Sequence, residues 1–123
     1  MIPIRGVYEV AIPVKSLERA EAFYCDVLGL AVGLRDAPRK WVFLRAGGHN
    51  GVLLLQEDTR DWAPRHFAFN LDDADLDGAV AALRRKGVSV TEPVTHAWMP
   101  ARSIYFSDPD GHALELCAPL AAP

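Results

Sequence analysis

Only two cysteines occur in 123 residues. Cys25 falls in a helical pattern and Cys117 in a strand, which predicts packed, reduced thiols rather than a disulfide framework. No apolar run approaches the ~20 residues needed to span a bilayer. The opening Met1-Ile2-Pro3-Ile4-Arg5-Gly6 has neither the basic segment nor the apolar stretch of a secretory signal. There is no basic excess either. Thirteen Lys and Arg stand against 16 Asp and Glu, and a net charge of −3 leaves no footprint for nucleic acid or an anionic membrane. These absences predict a cytoplasmic protein. What is present is ordinary for a globular chain, with 50% apolar and 24% charged residues. A single domain over 1–123 is expected, burying roughly two thirds of its unfolded surface.

The stretch Ser103–Cys117, SIYFSDPDGHALELC, organises the rest. Two apolar runs, Ser103–Phe106 and Ala113–Cys117, flank Asp108-Pro109-Asp110-Gly111. Pro109 presets a turn value of φ and Gly111 supplies a positive one, so the segment reads as a hairpin. Glu115 is out of place between two leucines. A lone buried carboxylate costs several kcal/mol unless something compensates it. Strand periodicity puts it on one face with the small residues Ala113 and Cys117, which suggests a cavity there.

Upstream, Val7–Val14 alternates as a strand. Ser16 can cap a helix carrying Leu17, Ala20, Tyr24 and Val27 or Leu28, which Gly29 ends. Leu30–Leu34, Lys40–Arg45 and Val52–Gln56 follow as strands, and Glu57–Arg65 reads as a polar linker. The pattern then restarts. His66–Leu71 is a strand with His66, Ala68 and Asn70 on one face. Asp75 can cap a helix bearing Leu76, Ala79, Val80 and Leu83, and Gly87 ends it. Val88–Val90, Ser103–Phe106 and Ala113–Cys117 supply three more strands.

The two halves superpose in sequence. Glu9–Ile12 falls on His66–Phe69, Gly29 on Gly87, Val42–Leu44 on Ile104–Phe106, and Leu53–Leu55 on Leu114–Leu116. The expected fold is therefore α+β, with two tandem β-α-β-β-β modules (about 5–57 and 66–118) forming a curled mixed sheet around a cavity. Glu9 and His66 are equivalent, and Leu54 is the counterpart of Glu115. Two carboxylates and an imidazole converging on one concave surface would repel as an unpaired set, and a divalent cation removes that conflict. The donor types suit Mn, Fe(II), Co, Ni or Zn, with positions left for a substrate.

The repeated layout, the Glu-Val-Ala-Ile opening at Glu9–Ile12, Ala22-Phe23-Tyr24…Val27-Leu28-Gly29-Leu30, His66-Phe67-Ala68-Phe69 and Asp108-Pro109-Asp110-Gly111-His112…Leu114-Glu115-Leu116 resemble the vicinal oxygen chelate superfamily. Glyoxalase I, extradiol dioxygenases, methylmalonyl-CoA epimerase, fosfomycin-modifying enzymes and bleomycin-binding proteins belong to it. The resemblance covers nearly the whole chain and implies a glyoxalase-like fold, a small-molecule partner and a homodimer. By position, it implies metal ligands at Glu9, His66 and Glu115, with Glu115 and Glu9 also catalytic. The first position is more often His or Gln in the family. The fourth glyoxalase position falls on Leu54, which cannot ligate, although Gln56 lies two residues further on the same face. This leaves a three-ligand site. The segment Arg102–Phe106 resembles the fosfomycin group. That group carries a basic C-terminal extension absent from Ala118–Pro123, so this activity is expected less than the others.

Substrate contacts are expected from His96, Trp98 and Arg102, with Asn70 on the His66 face and Trp41 as an apolar wall. Each assignment has a plainer alternative. Glu115 could pair with a buried base, His66 could be a hydrogen-bonded core histidine, Glu9 could be solvated, and Trp98 could cover a sheet edge. His112, Asp108 and Asp110 read as structural, and Asp72-Asp73-Asp75-Asp77 as a helix N-terminus. Two functions follow. The first is a divalent-metal-dependent enzyme acting on a small molecule chelated through neighbouring oxygens, by lyase, isomerase or dioxygenase chemistry. The second is a metal-free protein that sequesters a small molecule, in the manner of the bleomycin-binding members.

Overall fold

The computed structural model describes residues 1–120. Contacts divide the chain into two compact units, Met1–Trp62 and Ala63–Pro123. The first runs β1 (Glu9–Val14), α1 (Leu17–Ala22), a π-helical turn (Phe23–Val27), β2 (Ala31–Asp36), β3 (Trp41–Arg45) and β4 (Val52–Glu57). The second runs β5 (His66–Asn70), α2 (Asp73–Arg85), β6 (Val94–His96), β7 (Ala101–Ser107) and β8 (Ala113–Pro119). Each unit carries its own four-stranded mixed sheet, ordered β1-β4-β3-β2 and β5-β8-β7-β6. The expected α+β class and the repeat both hold, with two separate sheets.

The repeat extends to single residues. In the first unit β1 runs parallel to β4 with Glu9 opposite Val52 and Ala11 opposite Leu54. In the second, β5 runs parallel to β8 with His66 opposite Ala113 and Ala68 opposite Glu115. Glu9 and His66 thus hold one position of the motif, and Leu54 and Glu115 another. The two helical segments end alike, at Gly29 and Gly87, both in the left-handed region at φ +80° and +82°.

Each sheet buries one face under its helix. In the first unit this face carries Ile12, Val14, Leu44, Leu53 and Leu55, all essentially inaccessible, with Ala20 and Tyr24 of the helical segment also buried. Ser16 caps α1 by accepting a hydrogen bond from the Arg19 amide at 3.2 Å. At Phe23–Val27 the helix widens, and the Leu28 amide reaches back five residues to the Phe23 carbonyl. In the second unit Ile104 and Leu114 are inaccessible, as are Leu76 and, nearly so, Leu83 of α2, which packs on β8.

Two expected boundaries move. No strand forms at Val88–Val90. Instead the Val88 amide closes the end of α2 on Leu83, and the third strand begins after Pro93, at Val94. Thr91 already meets β7, its amide donating to the Tyr105 carbonyl at 3.1 Å, but Pro93 has no amide to give, so the regular ladder starts at Val94. Helix α2 starts at Asp73 rather than after Asp75, with Asp72 at the cap position but making no side-chain cap bond. Among the described residues no helix is long and apolar enough to cross a membrane.

Candidate functional site

The β7–β8 hairpin places Glu115. Its two strands pair antiparallel, with Tyr105 opposite Glu115 and Ser103 opposite Cys117. Alternation along the strands then brings Ser103, Tyr105, Glu115 and Cys117 to the face turned away from α2, and the β5 register adds His66, Ala68 and Asn70. From β6, His96 lies opposite Ala101 and joins the same face.

Glu115 is 8% exposed. Its Oε2 accepts a hydrogen bond of 2.5 Å from the hydroxyl of the fully buried Ser103. Its Oε1 lies 3.4 Å from His66 Nε2. The other His66 ring nitrogen, Nδ1, stands 3.0 Å from the carbonyl oxygen of Ala113. A carbonyl can only accept, so that contact assigns the ring proton to Nδ1. In the neutral ring, Nε2 then turns a bare lone pair on a carboxylate oxygen. Two acceptors face each other, an arrangement that a second ring proton or a metal ion between them would relieve.

This is the fit expected of half a metal centre. A ligating imidazole whose far N–H is held by a backbone carbonyl and a ligating carboxylate held by a hydroxyl are the usual outer supports of such donors. His66 is more than half exposed on its side chain, which leaves room for further ligands. Glu9 opens β1 at the equivalent point of the first unit and is exposed. Among the described residues no three His, Cys, Asp or Glu side chains come together as a ready metal cluster. His66 and Glu115 are the pair that the structure itself brings together.

Beside this pair lies a second polar contact. Tyr105 Oη and His96 Nε2 share a hydrogen bond of 2.8 Å, with the rings edge to face. Burial, and then the Glu115 carboxylate, push the Tyr105 phenol above its ordinary pKa, so it holds its proton at neutral pH. Imidazole, phenol, hydroxyl, carboxylate and imidazole therefore follow one another across one sheet face. Such a face can hold and transfer a proton next to a bound oxyanion.

The other predicted residues are distributed as follows. Asn70 is on the Glu115 face and exposed, and Trp98 stands out in the turn between β6 and β7 at 83% exposure. Arg102 is not brought to this face. It alternates to the opposite side of β7 and its guanidinium is engaged by α2, 2.7 Å from Asp73 and 3.6 Å from Asp77. In the first unit Gln56 does share a face with Glu9, but Gln56 pairs with Pro13, four residues along β1 from Glu9. At ~3.3 Å per residue that is about 13 Å of ladder, too far for both to reach one ion from neighbouring rungs. Trp41 lines a cleft of about 660 Å³ between α1 and the β2–β3 hairpin, with Leu17, Ala22 and Val42 as apolar walls. None of the three proposed metal ligands lines it.

Sequence reasoning missed Ser103 and Tyr105. The signal was present: once Asp108–Gly111 is taken as a hairpin turn, strand parity fixes which residues of Ser103–Phe106 share a face with Glu115, and it sends Arg102 to the other side.

Residues 6–116 match the Glyoxalase/Bleomycin resistance protein/Dioxygenase superfamily. The solved structure of an integron cassette protein from the mobile metagenome of Halifax Harbour sewage outfall is 45% identical, with a TM-score of 0.91 over 94% of this chain and 99% of that one. The metallothiol transferase FosB of Staphylococcus epidermidis is 30% identical over 92% of this chain and 81% of its own length. The catechol-2,3-dioxygenase of Bacillus subtilis is 34% identical over 85% of this chain, which spans 38% of that enzyme. This chain belongs to the Glyoxalase/Bleomycin resistance protein/Dioxygenase superfamily.

Proposed function

We propose that this protein is a divalent-metal-dependent enzyme whose small-molecule substrate is chelated through two neighbouring oxygens. The observation that carries the reading is the approach of His66 Nε2 to Glu115 Oε1 at 3.4 Å while Ala113 takes the proton of Nδ1. The donors are His66, Glu115 and, from its equivalence to His66 in the repeat, Glu9. One imidazole and two carboxylates suit Mn, Fe(II), Co, Ni or Zn. Bound there, the ion would supply Lewis-acid stabilisation to an enolate, alkoxide or similar oxyanion.

The chain's own residues supply the rest. Ser103 holds Glu115 in one orientation, so its free oxygen stays aimed at His66. Tyr105, protonated and tied to His96, presents a hydroxyl beside the carboxylate and can donate to a substrate oxygen as charge builds on it. Glu115 and Glu9 are the carboxylates available as base. Asn70 and Trp98 are the remaining substrate contacts on or beside this face.

The single histidine favours lyase or isomerase chemistry over ring-opening dioxygenation, because non-haem iron oxygenases commonly use two histidines and one carboxylate. Similarity to FosB keeps metal-dependent thiol transfer among the reactions to assay. A second reading, metal-free sequestration of a small molecule, is favoured by one observation: the 3.4 Å approach of His66 to Glu115 is also the distance of a plain ion pair, which needs no metal.

Titrating Mn, Ni and Zn into chelator-stripped protein separates the two. The enzyme reading expects one equivalent bound, weakened at least ~10-fold in Glu9→Gln, His66→Ala and Glu115→Gln alike. Saturable binding that ignores all three substitutions, or none at all, leaves the sequestering reading.

A further inference from the structure

His66 can face Glu115 only if the start of β5 is held in register with the start of β8, and one buried side chain bridges those two points. We propose that His112 is a positioning residue that aims His66 at Glu115 through the backbone of Arg65 and Ala113. The proposal rests on His66 and Glu115 being metal donors.

His112 is fully buried at the end of the β7–β8 turn. The turn is closed around Asp108, whose Oδ1 accepts hydrogen bonds from the amides of Asp110 and His112, each at 2.9 Å. The Asp108 amide in turn donates to the His112 carbonyl at 3.1 Å, and Gly111 supplies the left-handed residue at φ +84°. The His112 backbone is thereby fixed from both sides, so its ring projects in one direction. There Nδ1 accepts a hydrogen bond of 2.8 Å from the amide of Arg65. A backbone amide only donates, so His112 carries its proton on Nε2, the reverse of His66.

From Arg65 the constraint passes along three bonds. The His112 ring holds the Arg65 amide. The Arg65 carbonyl accepts from the Ala113 amide at 2.9 Å. The Ala113 carbonyl accepts from His66 Nδ1 at 3.0 Å. Without the His112 acceptor, the first of these bonds is lost and a partly buried amide loses its protein partner at the residue preceding His66. Register, tautomer and aim of the His66 ring then all lose their outermost anchor. The Asp-Pro-Asp-Gly-His segment is on this account more than a turn: its last residue reaches across to tune the donor on the neighbouring strand.

Two substitutions separate this role from simple core filling. His112→Asn keeps an acceptor oxygen close to the place of Nδ1, whereas His112→Leu fills the space without one. Above about pH 8, where an ordinary imidazole is neutral, ring nitrogen NMR shifts of metal-free protein should place the His66 proton on Nδ1 in the parent and in His112→Asn. In His112→Leu the proton should distribute over both ring nitrogens. With metal, the leucine variant should lose about 10-fold in affinity and the asparagine variant stay within about 2-fold. If His112→Leu does not fold, His112→Gln, which carries its acceptor one bond too far out, should behave as predicted for leucine. A leucine or glutamine variant with parental ring shifts and affinity overturns the proposal. So does a loss that follows stability equally in the asparagine and leucine variants. If the parent takes up no metal, the metal reading fails separately, and the ring shifts still decide the role of His112.

Discussion

Replacing Ser103 by alanine deletes one oxygen from the centre of the proposed site and little else. The hydroxyl lies 2.5 Å from Glu115 Oε2, and both residues are buried. Hydrogen bonds to charged groups contribute about 1.5–3 kcal/mol, and a buried acceptor left without its donor loses that amount because water does not replace it. In a chain of this size ~1 kcal/mol moves Tm by about 4 °C, so Ser103→Ala should melt about 6–12 °C lower. Urea unfolding of the parent, Ser103→Ala, Glu115→Gln and the double variant makes the test specific. Against a neutral glutamine the same deletion should cost only about 0.5–1.5 kcal/mol, giving a coupling near 1 kcal/mol between the two positions. Ser107→Ala, exposed on the same strand, is the control and should stay within about 0.5 kcal/mol of the parent. A Ser103→Ala variant as stable as Ser107→Ala, or a coupling of zero, would refute the reasoning that this hydroxyl holds the carboxylate.

Three further outcomes are expected. Tyr105 has its phenol pKa raised by burial and by Glu115 above the ordinary 10.0. Its contribution is therefore complete below the unfolded value near pH 10 and is lost as pH climbs through the folded one. Tyr105→Phe should flatten the alkaline limb of a stability–pH curve, and an unchanged limb would contradict the assignment. Asp58 is held down to about 2, chiefly by its hydrogen bonds with Arg60. Its carboxyl carbon should titrate there by NMR and return toward 3.8 in Arg60→Ala, so that a parent midpoint near 3.8 would exclude the pairing. Leu114, inaccessible on the α2 side of β8, should cost about 2–5 kcal/mol when cut to alanine. A loss under 1 kcal/mol by urea unfolding would show that α2 does not seal that face.

The repeat was the most legible feature of the sequence, because two copies of one motif confirm each other. The alignment of Glu9 with His66 and Leu54 with Glu115 reappears as one parallel register in both sheets. Glu115 was legible as well, since a carboxylate between leucines contradicts the pattern around it. What escaped was local. The Val-Ser-Val run at Val88–Val90 matches a strand as well as Val94–His96 does, and the partner strand decides between them. Arg102 was placed by its proximity in sequence to Trp98, whereas strand parity and two aspartates on α2 hold it on the far face. His112 read as a turn residue because its partner, the Arg65 amide, is 47 positions away and carries no side-chain signature.

His66 and Glu115 are proposed to approach each other in order to share a metal ion. Elemental analysis of protein purified without chelators or a metal-binding tag, beside His66→Ala and Glu115→Ala, tests it most directly. About one equivalent of a divalent transition metal per chain in the parent, lost from both variants, is the result expected. A parent that carries none and takes none up on incubation would contradict it.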